Sequence, residues 1–307
     1  MNKLIRSLTS LSYCVGFFDE KFLTADKETR YSQVAWLDTG DYRDGWFADP
    51  FFCDIDGDVI RLFAEEFRPD RGRGRISLLE VEREGSRFLL TGVKPVLELR
   101  THLSFPYVFR SGDTTYVLPE NHKSGKVTLY RFDPESKTLT DGQVLVGASL
   151  LDPSLFEMDG KYILMGTEGA DNRRLADTRL RIYASDSLNG PFSPVQTIEN
   201  RKRVERGAGC IFRTDGGTWI RPTQSCERRY GECVLLQELK YENGLFSERC
   251  LSRIEPDETQ PNSYCLHTLN TLDGLCVIDG LSFRYPLLGP ALIRLLDRRA
   301  QKHAANG

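Results

Sequence analysis

A hairpin unit that recurs five times constrains this chain more than any other feature. Each copy is a short apolar strand, a Gly-bearing turn about seven residues on, and a second apolar strand ending on a polar residue. The first runs from Asp49-Pro50-Phe51-Phe52 through Asp56-Gly57 to Val59–Phe63 and Glu65-Glu66. The second runs from Phe105-Pro106-Tyr107-Val108-Phe109 through Ser111-Gly112-Asp113 to Thr115–Leu118 and Glu120. The third joins Asp152-Pro153-Ser154-Leu155-Phe156 through Asp159-Gly160 to Tyr162–Met165 and Glu168. The fourth joins Gly209-Cys210-Ile211-Phe212 through Asp215-Gly216-Gly217 to Trp219-Ile220 and Gln224. The fifth joins His267-Thr268-Leu269-Asn270 through Asp273-Gly274 to Leu275–Ile278 and Asp279. Asp-Gly between two apolar runs signals a hairpin, because glycine accepts the positive φ of a tight turn.

The copies are 47 to 58 residues apart. That leaves room for two more strands each, and Ile76–Val81, Val127–Phe132, Leu180–Ala184 and Val234–Leu239 fit. Four strands per unit is the arithmetic of a propeller blade. The expected fold is therefore all-β: a five-bladed β-propeller over residues 1–285 with a short C-terminal amphipathic helix and tail over 286–307. A strand from Leu11–Asp19 or Gln33–Leu37 would close the ring. A β-sandwich is the alternative, but it needs no five similar hairpins at near-even spacing. In the tail, Leu288, Ala291, Leu292, Leu295 and Leu296 fall at helical spacing. That helix would pack on the propeller or touch a membrane or partner.

With 41 basic and 44 acidic residues the chain has no global nucleic-acid character. No apolar run reaches the length of a membrane span. The stretch Leu8–Phe18 is broken by serines and a threonine and precedes no cleavage-like site, so no secretion signal is expected. The eight cysteines form no CxxC pair, and free thiols in a reducing, cytoplasmic setting are expected. There is no P-loop, HExxH or GxSxG, nor a GxGxxG followed by a helix. No metal site follows from spacing and no cofactor is expected.

In a propeller the inner strands line a central funnel, so their ends converge from distant parts of the chain. Asp49 and Asp152 precede proline at equivalent positions. They serve either acid–base chemistry at a glycosidic bond or backbone N–H capping. Glu120 and Glu168 close second strands. If both strands of each hairpin run the whole channel, first-strand starts and second-strand ends are expected at opposite mouths. His102 and His267 are candidates for hydrogen bonds to sugar hydroxyls or for structural roles. The basic runs Arg68–Arg75 and Arg201-Lys202-Arg203 with Arg206 are either solvated or anion-binding, Arg206 being nearest an inner strand. Trp46, Phe47, Phe105, Tyr107 and Tyr230 would stack on sugar or fill the core.

Phe47-Ala48-Asp49-Pro50-Phe51, His102–Phe109, Leu118-Pro119-Glu120, Asp152-Pro153-Ser154 with Asp159–Tyr162, and Tyr230-Gly231 occur in this order. The set resembles the propeller domain at the N-terminus of plant glucosamine inositolphosphorylceramide transferases, which is itself similar to family 43 glycoside hydrolases. The resemblance spans roughly residues 35 to 285. It implies a five-bladed propeller with a glycan site in the funnel. The hydrolase pattern sets an Asp base, a second Asp and a Glu acid on successive blades. Asp49 matches the base, but Phe105-Pro106 occupies the second position and Asp152 stands where Glu is expected.

The function expected is that of a carbohydrate-active enzyme. It would transfer a glycosyl group in polysaccharide or glycolipid synthesis; hydrolysis, or glycan or protein binding without chemistry, are the alternatives. Asp49, Glu120 and Asp152 would be catalytic. His102, Glu168, Arg206, Gln224, Tyr230 and His267 would contact a glycan, sugar phosphate or nucleotide sugar. Nucleic acid is not an expected partner, and any peripheral membrane contact falls to the C-terminal helix.

Overall fold

A computed structural model describes residues 11–169, 179–199, 206–227 and 229–283. Five antiparallel sheets follow one another along the chain. β1 (Leu11–Asp19) and β2 (Ala35–Trp36) come first but belong to the last blade. Blade 1 is β3 (Trp46–Asp56), β4 (Val59–Arg68), β5 (Arg73–Glu84) and β6 (Arg87–Leu97). Blade 2 is β7 (Ser104–Ser111), β8 (Thr114–Glu120), β9 (Val127–Asp133) and β10 (Thr138–Val146). Blade 3 is β11 (Leu150–Met158), β12 (Lys161–Glu168), β13 (Arg179–Ser185) and β14 (Ser193–Glu199). Blade 4 is β15 (Arg206–Gly207), β16 (Phe212–Arg213), β17 (Trp219–Ser225), β18 (Cys233–Glu242) and β19 (Leu245–Ile254). Blade 5 joins β20 (Leu269–Leu272) and β21 (Leu275–Phe283) to the N-terminal strands in the order β2-β1-β21-β20.

This is the five-bladed propeller that the repeat predicts. The ring closes through β1, which pairs with β21 from Leu11↔Phe283 to Asp19↔Leu275. The N-terminus supplies two strands rather than one, because β2 pairs with β1 through Gly16↔Trp36 and Phe17↔Ala35. The C-terminal helix and the run Arg201-Lys202-Arg203 lie outside the described residues.

Apolar side chains alternate along the strands and fill the spaces between blades. Phe63, Leu78, Tyr107, Leu118 and Leu155 belong to one cluster spanning blades 1 to 3, while Phe17, Leu62, Leu79 and Val277 join blades 5 and 1. Met165, Ile182 and Leu239 seal blade 3 on blade 4, and Phe18, Val234 and Ile278 seal blade 4 on blade 5. The hairpin turns are as read: Asp159 and Gly160 both take positive φ (51° and 75°), as do Asp273 and Gly274 (48° and 78°). This is the paired left-handed geometry that matches strand twist.

The inner strand of blade 4 departs from the expected Gly209–Phe212 run. It is two fragments, β15 and β16, with the connecting residues turned toward other blades. Cys210 N–H donates to Asn270 Oδ1 (2.7 Å) and Ile211 N–H to the Tyr107 hydroxyl (3.1 Å). A Cβ on Gly209 would lie 2.1 Å from the Leu269 carbonyl oxygen. Glycine therefore permits the two backbones to touch.

Candidate funnel site

In blades 1 to 3 the inner strand carries a strained residue near its start. Asp49, Phe105 and Asp152 have φ of 49°, 43° and 45°. Each precedes proline within a register break of its hairpin, at Ala48/Phe51, Ser104/Tyr107 and Leu151/Ser154. Proline cannot donate to the ladder, so the chain bulges there. Positive φ at non-glycine residues costs about 1–3 kcal/mol each and persists only where surroundings enforce it.

The enforcement is a relay of carboxyl groups between blades. Asp279, closing blade 5, accepts from Asp49 N–H (3.1 Å). Asp49 Oδ2 accepts from Phe105 N–H (3.0 Å). Glu120, closing blade 2, accepts from Asp152 N–H (3.0 Å). Asp152 in turn takes the Arg206 fork, with Nε at 2.6 Å from Oδ2 and Nη2 at 3.0 Å from Oδ1. Arg206 Nη2 also reaches Glu120 (3.1 Å).

First-strand starts and second-strand ends thus share one mouth, correcting the expectation of opposite ends. In an antiparallel hairpin the start of one strand lies beside the end of the next, as in Ala48↔Glu65 and Ser104↔Glu120.

Asp49, Glu120 and Asp152, expected as catalytic, are all buried in this relay. Asp49 Oδ1 accepts from the Thr268 hydroxyl at 2.7 Å, so both its oxygens are engaged. Burial raises its pKa against the opposing pull of His267. Burial would also raise Glu120, but the hydrogen bond with His122 Nδ1 (2.8 Å) and the Arg206 charge prevail and hold it down to about 2. Glu120 is therefore a carboxylate at neutral pH and cannot serve as the acid.

The residues expected to bind substrate separate into two groups. Gln224 is buried, donating to Asp152 Oδ2 (3.1 Å) and the Gly207 carbonyl (3.4 Å). With its fork on Asp152 and Glu120, Arg206 holds the ring together rather than offering an open anion site. His267 is buried, with Nδ1 2.5 Å from Asp279 and 3.6 Å from Asp49. Ligand atoms of these three lie within 4.8 Å of one another, a metal-like cluster. The His267 ring, pushed up to about 9 against burial by Asp279 and then Asp49, supplies the positive charge there.

The other group faces the mouth. Tyr230 is 48% exposed, its ring edge-on to His267 at 5.4 Å and beneath the Arg206 guanidinium at 5.6 Å. His267 stacks on Tyr13 (4.8 Å), Tyr13 meets Trp46 (5.1 Å), and Trp46 stacks on Phe67 (4.6 Å). Phe67 leads on to His102 at 6.3 Å. These rings form an arc from blade 4 through blades 5 and 1 to the edge of blade 2. Phe47, Phe105 and Tyr107 are core. Glu168 is half-buried, 3.7 Å from Arg179. The Arg68–Arg75 run is balanced by its own acids: Arg75 pairs with Glu66 (2.8 Å) and Arg68 with Asp70 (3.0 Å).

Residues 33–248 match the family described as glucosamine inositolphosphorylceramide transferase 1, N-terminal. The chain belongs to this family. Glucosamine inositolphosphorylceramide transferase 1 of Oryza sativa subsp. japonica is 29% identical over 206 residues, and that of Arabidopsis thaliana 28% over 199. The matches cover 66% and 64% of this chain but only 27% and 26% of those proteins. The chain thus spans about a quarter of the length of the curated relatives it matches. The fold is shared with a thermostable family-43 glycoside hydrolase (TM-score 0.50, 14% identity, 72% of this chain and 83% of that one). It is shared too with a putative exo-beta-1,3-galactanase from Bifidobacterium bifidum (TM-score 0.51, 15% identity, 69% and 76%).

The matched family segment holds Asp49, Glu65, His102, Glu120, Asp152, Arg206 and Tyr230, but not Tyr13, His267 or Asp279. The last three enter the funnel with the blade that closes the ring. Sequence reasoning noted Asp279 and Glu65 as strand ends without giving either a role, and it missed Tyr13, His122 and Thr268. The five-fold alignment of second-strand ends carries the signal for Asp279 and Glu65. Nothing local distinguishes Tyr13 or Thr268.

Proposed function

We propose that the chain binds a glycan or activated sugar at this mouth and takes part in glycosyl transfer, in polysaccharide or glycolipid synthesis in the cytoplasm. The observation that carries the reading is the aromatic arc ending on the exposed Tyr230, set beside a dense ring of buried carboxyl groups. Flat rings stack on the apolar faces of sugars, and adjacent carboxyls receive their hydroxyls. The carbohydrate names of the family and of the propellers sharing its fold support this class.

Binding without chemistry is the second reading. It is favoured by the engagement of Asp49, Glu120 and Asp279 with backbone N–H groups.

A thermal-shift screen with nucleotide sugars, sugar phosphates and oligosaccharides tests the proposal on wild type and Tyr230→Ala. A stabilising ligand whose effect is lost in Tyr230→Ala supports it. A nucleotide sugar as that ligand, with release of the nucleotide, selects transfer; release of free sugar selects hydrolysis, and unchanged ligand selects binding alone. A shift equal in both proteins would move the site away from this mouth, and no shift from any sugar would refute the proposal.

A further inference from the structure

Glu65 occupies the same place in blade 1 that Glu120 occupies in blade 2. Each pairs with the residue just before the strained start of its inner strand, as Ala48↔Glu65 and Ser104↔Glu120. Glu120 accepts from the N–H of the strained residue in the next blade, Asp152, and Asp279 does so for Asp49 in blade 1. The equivalent N–H for Glu65 is that of Phe105, but Asp49 has taken it. Glu65 is left inside the ring without the structural task of its counterparts.

Among the described residues it has no Lys or Arg partner. Glu65 is 6% exposed, and its Oε1 is buried without a hydrogen-bond partner. His102 Nε2 lies 3.5 Å from Oε1. Gly74 N–H donates to His102 Nδ1 at 2.8 Å, so Nδ1 is the acceptor and the ring is neutral with its proton on Nε2. Burial keeps this histidine's pKa low. A Cβ on Gly74 would lie 2.5 Å from Glu65 Oε1 and 2.4 Å from the Leu103 carbonyl oxygen. The glycine thus permits the glutamate and histidine to pack here against bare backbone. The largest charge effects on Glu65 come from Asp49, Glu120, Asp279 and Asp152, all acidic. Burial, then these four carboxyls, push its pKa well above the ordinary value.

We propose that Glu65 is the proton-donating carboxyl of the funnel, with His102 as its positioning residue, and that it acts on an oxygen of the bound sugar. The inference rests on the carbohydrate reading of the mouth. As the bond from the anomeric carbon to the bridging oxygen breaks, its electron pair stays on that oxygen and Glu65 supplies the proton. The hydroxyl that adds to the carbon, from water or a sugar acceptor, releases one proton, which restores the acid. A neutral buried carboxyl suits this task, as Glu120, held ionised, does not.

The test compares the whole chain with its Glu65→Gln variant. At neutral pH the infrared spectrum of wild type should contain a protonated-carboxyl C=O band that Glu65→Gln lacks. The amide mimics a neutral acid, so the urea unfolding midpoint should be unchanged in the variant. Methyl glucosaminide should shift the band in wild type; because glutamine keeps a donor but has no proton to give, the sugar's affinity should change little in Glu65→Gln while any transfer or hydrolysis falls about 100-fold or more. Absence of the band, or a variant with a lower unfolding midpoint at neutral pH, overturns the inference by showing Glu65 ionised and structurally paired. So does a wild-type band that bound methyl glucosaminide leaves unmoved. A wild type that binds neither methyl glucosaminide nor uridine diphosphate N-acetylglucosamine overturns the carbohydrate reading, and the ligand role of Glu65 with it, whatever the band shows.

Discussion

Neutralising His267 should loosen the ring between its last and first blades. The imidazole is buried with Nδ1 2.5 Å from Asp279 Oδ2 and 3.6 Å from Asp49 Oδ1, next to the Thr268 hydroxyl at 3.3 Å. Tyr13 stacks on its face and Tyr230 meets it edge-on. Burial alone would discharge the ring, but Asp279 and then Asp49 outweigh it and place the folded pKa at about 9, against 6.5 for a free histidine. At about 1.4 kcal/mol per pH unit, that difference contributes roughly 3 kcal/mol. The folded value is the higher one, so the contribution is complete below pH 6.5 and is lost as pH rises through about 9. Glu65 and Asp49, also raised, titrate in the same direction from lower pH, so the contribution must be isolated by difference. Urea unfolding of wild type and His267→Gln from about pH 6 to about pH 10 does this, and the stability gap should narrow by roughly 3 kcal/mol over that range. A gap that stays constant would show that His267 carries no bound proton, and one that widens would reverse the assigned sign.

Four further outcomes follow from the same ring. Arg206→Leu removes the cation shared by the buried Asp152 and Glu120 carboxyls and should cost about 3–5 kcal/mol in urea unfolding. Arg206→Lys keeps the charge without the fork and should recover only part of that loss. Gly231→Ala combines a φ of +61° with a Cβ 2.1 Å from Cys265 Sγ, and should lower stability by about 2 kcal/mol or more, read as a drop in thermal midpoint. Removing residues 1–36 deletes two of the four strands of blade 5 and exposes the edge of β21. Loss of a single cooperative unfolding transition is expected, and an intact transition would refute closure by the N-terminus.

The architecture was legible because its signals are local and repeated. Asp-Gly turns need only their own backbone to form, and five of them at similar spacing left few alternatives. The broken inner strand of blade 4 was not legible. Gly209-Cys210-Ile211 reads as an apolar strand, but its N–H groups are claimed by Asn270, 60 residues away, and Tyr107, 104 residues away. The site was half legible for the same reason. Asp49 and Asp152 stand out as repeated Asp-Pro pairs, and Glu120 as a strand end. That Asp49 and Glu120 serve backbone donors in neighbouring blades, and Asp152 the Arg206 fork, depends on which blade meets which.

Carboxyl groups at this mouth consequently do two kinds of work that a sequence pattern does not separate. Asp49, Glu120 and Asp279 hold strained strand starts in register, and the funnel they surround would deform without them. Loss of function on replacing Asp49 would therefore look catalytic while reporting a loosened ring. Asparagine there would set an NH2 group against Phe105 N–H or the Thr268 hydroxyl, replacing an acceptor with a donor at a buried contact. Glu65 and Tyr230 escape this ambiguity. One accepts from no backbone N–H among the described residues, and the other is half exposed. Substitutions at these two positions can change what the mouth binds while the relay that shapes it stays intact.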